Sequence, residues 1–340
     1  MDLLDAVILG IVEGITEYLP VSSTGHLIIT SWLLGLSEEY RTKVAVDAFN
    51  IIIQGGAILA VLGLYRSRVW QMIRGLLGRD PVGRRLFVNL VIAFIPAAIL
   101  GVLFDDLITR HLFYPYPVLA ALFLGGLVLL GIGPWQRRIF RAQEPADPDP
   151  GQTKEASRRF TELESLRWTQ ALTIGLLQCV AMWPGTSRSM MTIVGGMFMG
   201  LRPRQAAEFS FLLGLPTLGG ACVYKLLKIG LAEKSTFIQD LGGWMPLVVG
   251  LVVATAAAAL AVHWLVSWLG THGLGIFGWW RIGLSGLLLA GILSGRLNIN
   301  PPPNLENVNP KTLVEPSKRV TMTPAGFAAP SASRVHRTTE

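Results

Sequence analysis

Six apolar stretches of membrane-spanning length constrain this chain more than any other feature. They run over roughly residues 45–65, 86–104, 117–134, 206–228, 244–268 and 279–297, with arginine-rich gaps between several of them. About 20 apolar residues in a helix cross the hydrocarbon of a bilayer. In lipid, only helices and closed barrels satisfy their own backbone groups. Composition bears on the same point: 51% of the 340 residues are hydrophobic and 15% are charged, against about 25% charged in a soluble domain. That is too little charge to cover a soluble surface, which excludes a disordered chain, a coiled coil and an ordinary cytosolic enzyme. The expected class is an all-α integral membrane protein.

Two other apolar regions, 3–35 and 168–199, are each interrupted near the middle. The breaks read Leu19-Pro20-Val21-Ser22-Ser23-Thr24-Gly25 and Trp183-Pro184-Gly185-Thr186-Ser187. Each half is too short to cross alone, so each region is expected to be a re-entrant helix–loop–helix hairpin. Irregular backbone at membrane depth survives only where protein or a watery cavity surrounds it, so both breaks are expected to line one cavity. One hairpin and three spans are followed by one hairpin and three spans. At an offset of 165, Gly10 falls on Gly175, Glu13 on Gln178, Tyr18 on Trp183 and Ser22 on Ser187. Three spans per half is an odd number, which predicts an inverted-topology repeat of the kind many transporters use. The expected organisation is one membrane domain over 1–297, with repeats 1–134 and 168–297, a cytoplasmic loop 135–167 and a disordered tail 298–340.

The net charge is +7. In a membrane protein this is a matter of topology, so no nucleic-acid partner is expected. The gap 66–85 holds Arg66, Arg68, Arg74, Arg79, Arg84 and Arg85, and 135–167 holds Arg137, Arg138, Arg141, Lys154, Arg158, Arg159 and Arg167. Both follow odd-numbered spans, so both are expected on the cytoplasmic side. The gaps 105–116 and 229–243 are poor in Arg and Lys and fall on the other side, as do both chain ends. Cys179 and Cys222 lie in apolar segments and make neither a disulfide framework nor a metal pair. Asp2, Asp5, Glu13 and Glu17 mark the N-terminus as mature chain rather than a cleavable signal.

Glu13 and Glu17 stand one helical turn apart on one face. Two carboxylates in a membrane segment repel unless solvated, unless they act as acid and base, or unless a divalent cation lies between them. Ser22, Ser23 and Thr24 precede a helix whose free N–H groups suit an anion. His26, in its first turn, can act as base or as nucleophile towards phosphorus. The second break supplies Thr186, Ser187, Arg188 and Ser189. Arg188 can clamp phosphate oxygens or pair with Glu13 or Glu17. Gln178 suits a hydroxyl, a water or a helix–helix hydrogen bond. Together these groups describe a phosphate or pyrophosphate site. Glu208 reads as a helix-start charge, Asp105 and Asp106 as an exposed turn, His263 as packed, and Trp264, Trp268, Trp279 and Trp280 as an interfacial belt. There is no Walker A loop and no dinucleotide fingerprint.

The stretch from Glu13 to Leu27, with Glu13-Gly14-Ile15-Thr16-Glu17-Tyr18-Leu19-Pro20-Val21-Ser22-Ser23-Thr24-Gly25-His26, resembles the long motif of the undecaprenyl-diphosphate phosphatases, the bacitracin-resistance family. Pro184-Gly185-Thr186-Ser187-Arg188-Ser189 resembles its second motif, and the likeness extends over about residues 1–297. The resemblance implies a multi-pass enzyme of the bacterial inner membrane whose site opens to the periplasm. It implies removal of one phosphate from undecaprenyl diphosphate, a polyprenyl lipid substrate, to recycle the carrier for peptidoglycan synthesis. It places catalytic roles on Glu13, Glu17, Ser23, His26 and Arg188, with calcium or magnesium held by Glu13 and Glu17. Ser22, Thr24, Gln178, Thr186, Ser187, Arg188 and Ser189 are the expected phosphate-binding set. His26 and Ser23 both remain open as nucleophile. The rival reading is a polyprenyl-phosphate transporter of the same architecture. Besides membrane lipids, a homodimer partner is compatible with the sequence. Met190 stands where the family usually has Gly, and Asn50 where some members carry an acid.

Overall fold

The computed structural model describes residues 1–36, 40–112, 115–141, 161–230 and 237–295. The expected tail 298–340 and the polar stretch 143–157 lie outside the described residues. What is described is helical, with one isolated β-bridge between Thr161 and Leu201. The helices are α1 Leu3–Tyr18, α2 Ser23–Leu33, α3 Tyr40–Leu64, α4 Arg66–Leu76, α5 Pro81–Leu112 and α6 Pro115–Arg141. After a 3₁₀ turn at Leu163–Ser165 come α7 Trp168–Val180, α8 Arg188–Phe198, α9 Pro203–Gly230, α10 Phe237–Asp240, α11 Trp244–Trp268 and α12 Gly275–Leu293.

Six of these, α3, α5, α6, α9, α11 and α12, are long and apolar enough to cross a membrane. Large apolar side chains such as Val102, Leu260 and Leu293 point outward, more than two-thirds exposed, at 76%, 74% and 76%. A surface of that kind is stable against lipid and unstable against water. The chain is therefore a multi-pass membrane protein.

Two gaps read from the sequence as loops are helical. The arginine-rich stretch after α3 forms α4, whose Met72 and Gly75 are buried while Trp70, Ile73 and Leu76 stay exposed. Its apolar residues recur at helical spacing, which the count of arginines concealed. The expected turn at Asp105–Asp106 is instead a continuation of α5 to Leu112. No breaker occurs before Pro115, which opens α6 at the first helical position, where proline is tolerated. The last span also begins earlier than expected, at Gly275, and ends at Leu293.

The packing of α1 and α7 is reciprocal. α1 lies on α11, and α7 lies on α5. Glycine makes both approaches possible. A Cβ on Gly10 would come within 2.7 Å of the Gly250 carbonyl oxygen, and one on Gly175 would overlap that of Ala93. Gly10 and Gly175 are the pair that the 165-residue offset superimposes. α1 begins with a capping box, in which Asp5 N–H donates to Asp2 Oδ1 and Asp2 N–H to Asp5 Oδ2, both at 2.8 Å.

Candidate active site

α1 ends because Leu19 precedes a proline, which drives its backbone out of the helical region to φ −74°, ψ 146°. The chain re-enters a helix at Ser22, and in the second break at Ser187. These two serines, superimposed by the 165 offset, have φ 72° and 76° and are the non-glycine residues with positive φ among those described. Each costs about 1–3 kcal/mol, so both breaks hold strained backbone at the N-terminus of the following helix. Gly185 is required where it stands: its φ is 96°, and a Cβ would sit 2.6 Å from the Val118 carbonyl oxygen.

The two breaks meet at Glu17. Ser23 Oγ donates to Glu17 Oε2 at 2.8 Å, and Arg188 Nη2 donates to Oε1 at 2.9 Å. Arg188 Nη1 donates to the Ser210 carbonyl at 3.1 Å, and its guanidinium carbon lies 5.5 Å from the centre of the Tyr18 ring. Ser189 Oγ ties the second break to the first by donating to the Leu19 carbonyl at 2.9 Å. Thr192 Oγ1 holds the helix behind Arg188, bonding the Arg188 carbonyl at 2.9 Å and sharing a 2.6 Å hydrogen bond with Ser210 Oγ. Arg188 is thus paired with Glu17, one of the two partners weighed from sequence.

Glu13 sits one turn before Glu17 on the same face and is fully buried, and neither carboxylate oxygen has a partner among the described residues. Gln178, which the 165-residue offset places on Glu13, is buried with both amide atoms unpartnered, as are Arg188 Nε and Asn50 Oδ1. Leaving a buried polar group unsatisfied costs about 1–3 kcal/mol, and more if it is charged. Such atoms suit a site that takes a polar ligand. No group of three His, Cys, Asp or Glu side chains comes together among the described residues. Two carboxylates, one of them free of protein partners, still fit a hard cation that takes its other ligands from water and phosphate.

His26 stands apart from this cluster. Its Nδ1–H donates to the Ser22 carbonyl at 2.8 Å, and its Nε2 accepts from the indole N–H of Trp280 at 2.8 Å. An indole can only donate, so the neutral Nδ1–H tautomer follows. Trp280, expected in an interfacial belt, is therefore a partner of the first break. Ser187 caps α8, its Oγ accepting from the Met190 N–H at 3.3 Å and sharing a 3.0 Å bond with Ser189 Oγ. Ser22 and Thr186 are buried in the breaks, and Thr24 is half-buried in the first turn of α2. Met190 is 1% exposed and belongs to the apolar core. Glu208 is paired with Arg68 at 2.7 Å, and His263 is exposed rather than packed.

Sequence reasoning missed Arg281. It is fully buried in α12 and has no carboxylate partner among the described residues. Its guanidinium donates to the carbonyls of Gly185 at 2.7 Å, Ala121 at 3.0 Å, Leu122 at 3.3 Å and Pro20 at 3.5 Å, so it pins both breaks to α6. An arginine inside an apolar span was the available signal. Placing that span four residues too late put Arg281 near its end, where charge is unremarked.

Over residues 6–287 the sequence matches the family described as "Bacitracin resistance protein BacA". The chain belongs to this family. The BacA match takes in both breaks and most of the last span. Relatives agree with it. "Undecaprenyl-diphosphatase" of Sorangium cellulosum is 45% identical over 285 residues, covering 84% of this chain and 85% of the relative. "Undecaprenyl-diphosphatase 2" of Rhodospirillum rubrum is 43% identical over 293 residues, covering 86% and 96%. "Undecaprenyl-diphosphatase" of Azotobacter vinelandii is 44% identical over 285 residues, covering 84% and 92%.

Proposed function

We propose that this BacA-family chain hydrolyses undecaprenyl diphosphate to undecaprenyl phosphate and inorganic phosphate, which recycles the lipid carrier for peptidoglycan synthesis and confers bacitracin resistance. The observation that carries the reading is the Ser23–Glu17–Arg188 chain, assembled from both breaks of one polypeptide. The transporter alternative has no comparable support, since the relatives named above are diphosphatases. The residues of this reading all come from one copy of the chain.

In this reading the terminal phosphate lies against Arg188 and the N-terminal turns of α2 and α8, with Ser22, Thr24, Gln178, Thr186, Ser187 and Ser189 around it. Ser23 Oγ attacks the terminal phosphorus in line while Glu17 takes the hydroxyl proton. The bridging P–O bond breaks, and undecaprenyl phosphate leaves with the electron pair. Water then cleaves the Ser23 phosphoester and releases phosphate. Arg188 and the α2 N–H groups stabilise the charge developing on the phosphoryl oxygens. Glu13 and Glu17 are the residues that would hold a calcium or magnesium ion, which would neutralise diphosphate charge. His26, with both ring nitrogens engaged, is a positioning residue that orders the first turn of α2 against Trp280. The reading includes re-entrant hairpins, an inverted repeat, an inner-membrane location and a site facing the periplasm. The matched strain at Ser22 and Ser187, the reciprocal packing of α1 and α7, and the arginine asymmetry support these features.

The test is phosphate release from undecaprenyl diphosphate by purified protein in detergent, with labelling by a terminally ³²P-labelled substrate. Release that is lost in Ser23→Ala and Arg188→Ala, with an acid-stable protein-bound label, is expected. An acid-labile label would transfer the nucleophile to His26. No release from folded protein would remove the phosphatase reading.

A further inference from the structure

Outside the catalytic cluster lies a groove lined by arginines. The first turns of α5 and the segment leading into α7 enclose two adjoining cavities of about 410 and 540 Å³. They share Arg85 and Val88, so they form one groove. Arg84 and Arg85 line one side and Arg167 the other, with Val82, Val88 and Trp168 between them. The walls are tied together: Asn89 Nδ2 donates to the Leu166 carbonyl at 2.8 Å, and Arg68 bridges Glu164 and Glu208 at 2.9 and 2.7 Å.

The charge in this groove is not neutralised. Among the described residues, Arg84, Arg85 and Arg167 have no carboxylate partner. Glu164 is the one carboxylate lining the groove, and Arg68 engages it. Asp80, next to Pro81 in sequence, is occupied in capping α5 through the N–H groups of Val82 and Gly83. The groove also faces outward, with Trp168 61%, Val88 45% and Val82 39% exposed. It lies in the first turns of a membrane-spanning helix, Pro81–Phe104. That is the level at which lipid phosphates and interfacial tryptophans sit.

We propose that this groove binds an anionic glycerophospholipid, with its phosphate between Arg84, Arg85 and Arg167 and its acyl chains along Val82, Val88 and Trp168. Guanidinium groups hold phosphate oxygens bidentately. A headgroup carrying its own ammonium finds no free carboxylate to receive it, so anionic lipid is selected over zwitterionic. Basic pockets between spanning helices are suited to such headgroups. The proposal is independent of the active-site reading.

Native mass spectrometry of the full chain, released from micelles with equal amounts of phosphatidylglycerol and phosphatidylcholine, tests it. Retention of phosphatidylglycerol alone is expected. It should fall at least tenfold in Arg84→Gln/Arg85→Gln/Arg167→Gln and in the single charge reversal Arg85→Glu, each shown to be monodisperse. Millimolar inorganic phosphate should leave the lipid bound, because the chains contribute. Equal retention of phosphatidylcholine, undiminished retention by the folded variants, or displacement by inorganic phosphate would each overturn the proposal. So would displacement by equimolar undecaprenyl phosphate, which would make the groove a polyprenyl-phosphate site.

Discussion

Glu17 is the residue on which the two breaks converge, and its two oxygens serve different partners. Replacing it with Gln keeps the shape and removes the proton acceptor for Ser23. Glu17→Gln should lower kcat by about 10²–10⁴-fold with a smaller change in KM, measured by steady-state phosphate release. Arg188 spans Glu17 and the Ser210 carbonyl with two separate N–H groups. Lysine keeps the charge and loses that fork, so Arg188→Lys should cost about 10²–10³-fold in kcat/KM. Met190 makes the opposite case. It stands where the family usually has Gly. On helix α8 it follows Arg188 by two positions, about 200° round the axis, and so lies in the core. Met190→Gly should therefore give no gain in phosphate release and should destabilise the protein by about 2–5 kcal/mol, read as a lower midpoint of thermal unfolding. The identities of the charged residues were legible in the sequence. Which side chain faces which was not, because that depends on helix phase around an irregular loop.

At the scale of elements, Arg281 connects what sequence reasoning treated separately. Replacing it with Met should leave the carbonyls of Pro20 and Gly185, which lie outside helices, without their donor, at about 1–3 kcal/mol for each one left buried and unpaired. Arg281→Met is expected to melt at a lower temperature and to lose activity together with stability, as measured by unfolding and phosphate release on the same preparation. The six spans were legible because apolar length is a one-dimensional property. So were the two breaks, because Pro, Gly and Ser interrupt an apolar run. The helical character of α4 was not, since a count of charges hides a buried face, nor was the continuation of α5 to Leu112, where no breaker intervenes before Pro115. The link between Trp280 and His26 was also hidden, because these residues are 254 positions apart in sequence and meet only through packing.

For the whole molecule, chelation is the broadest test. Removing divalent cations should abolish phosphate release, and magnesium or calcium should restore it; full activity in chelator would leave Glu13 and Glu17 without a cation role. The membrane class and the duplicated order of elements could be read from the chain alone. The crossed seating of α1 on α11 and α7 on α5 could not, because the offset pairs equivalent residues and says nothing about which half each one touches. That crossing sets the order of events during synthesis. α1 leaves the ribosome roughly 240 residues ahead of the helix that seats it. At about 5–20 residues per second, α1 waits on the order of ten to fifty seconds for that seat. A chain cut short before α11 leaves α1 without the helix it packs on.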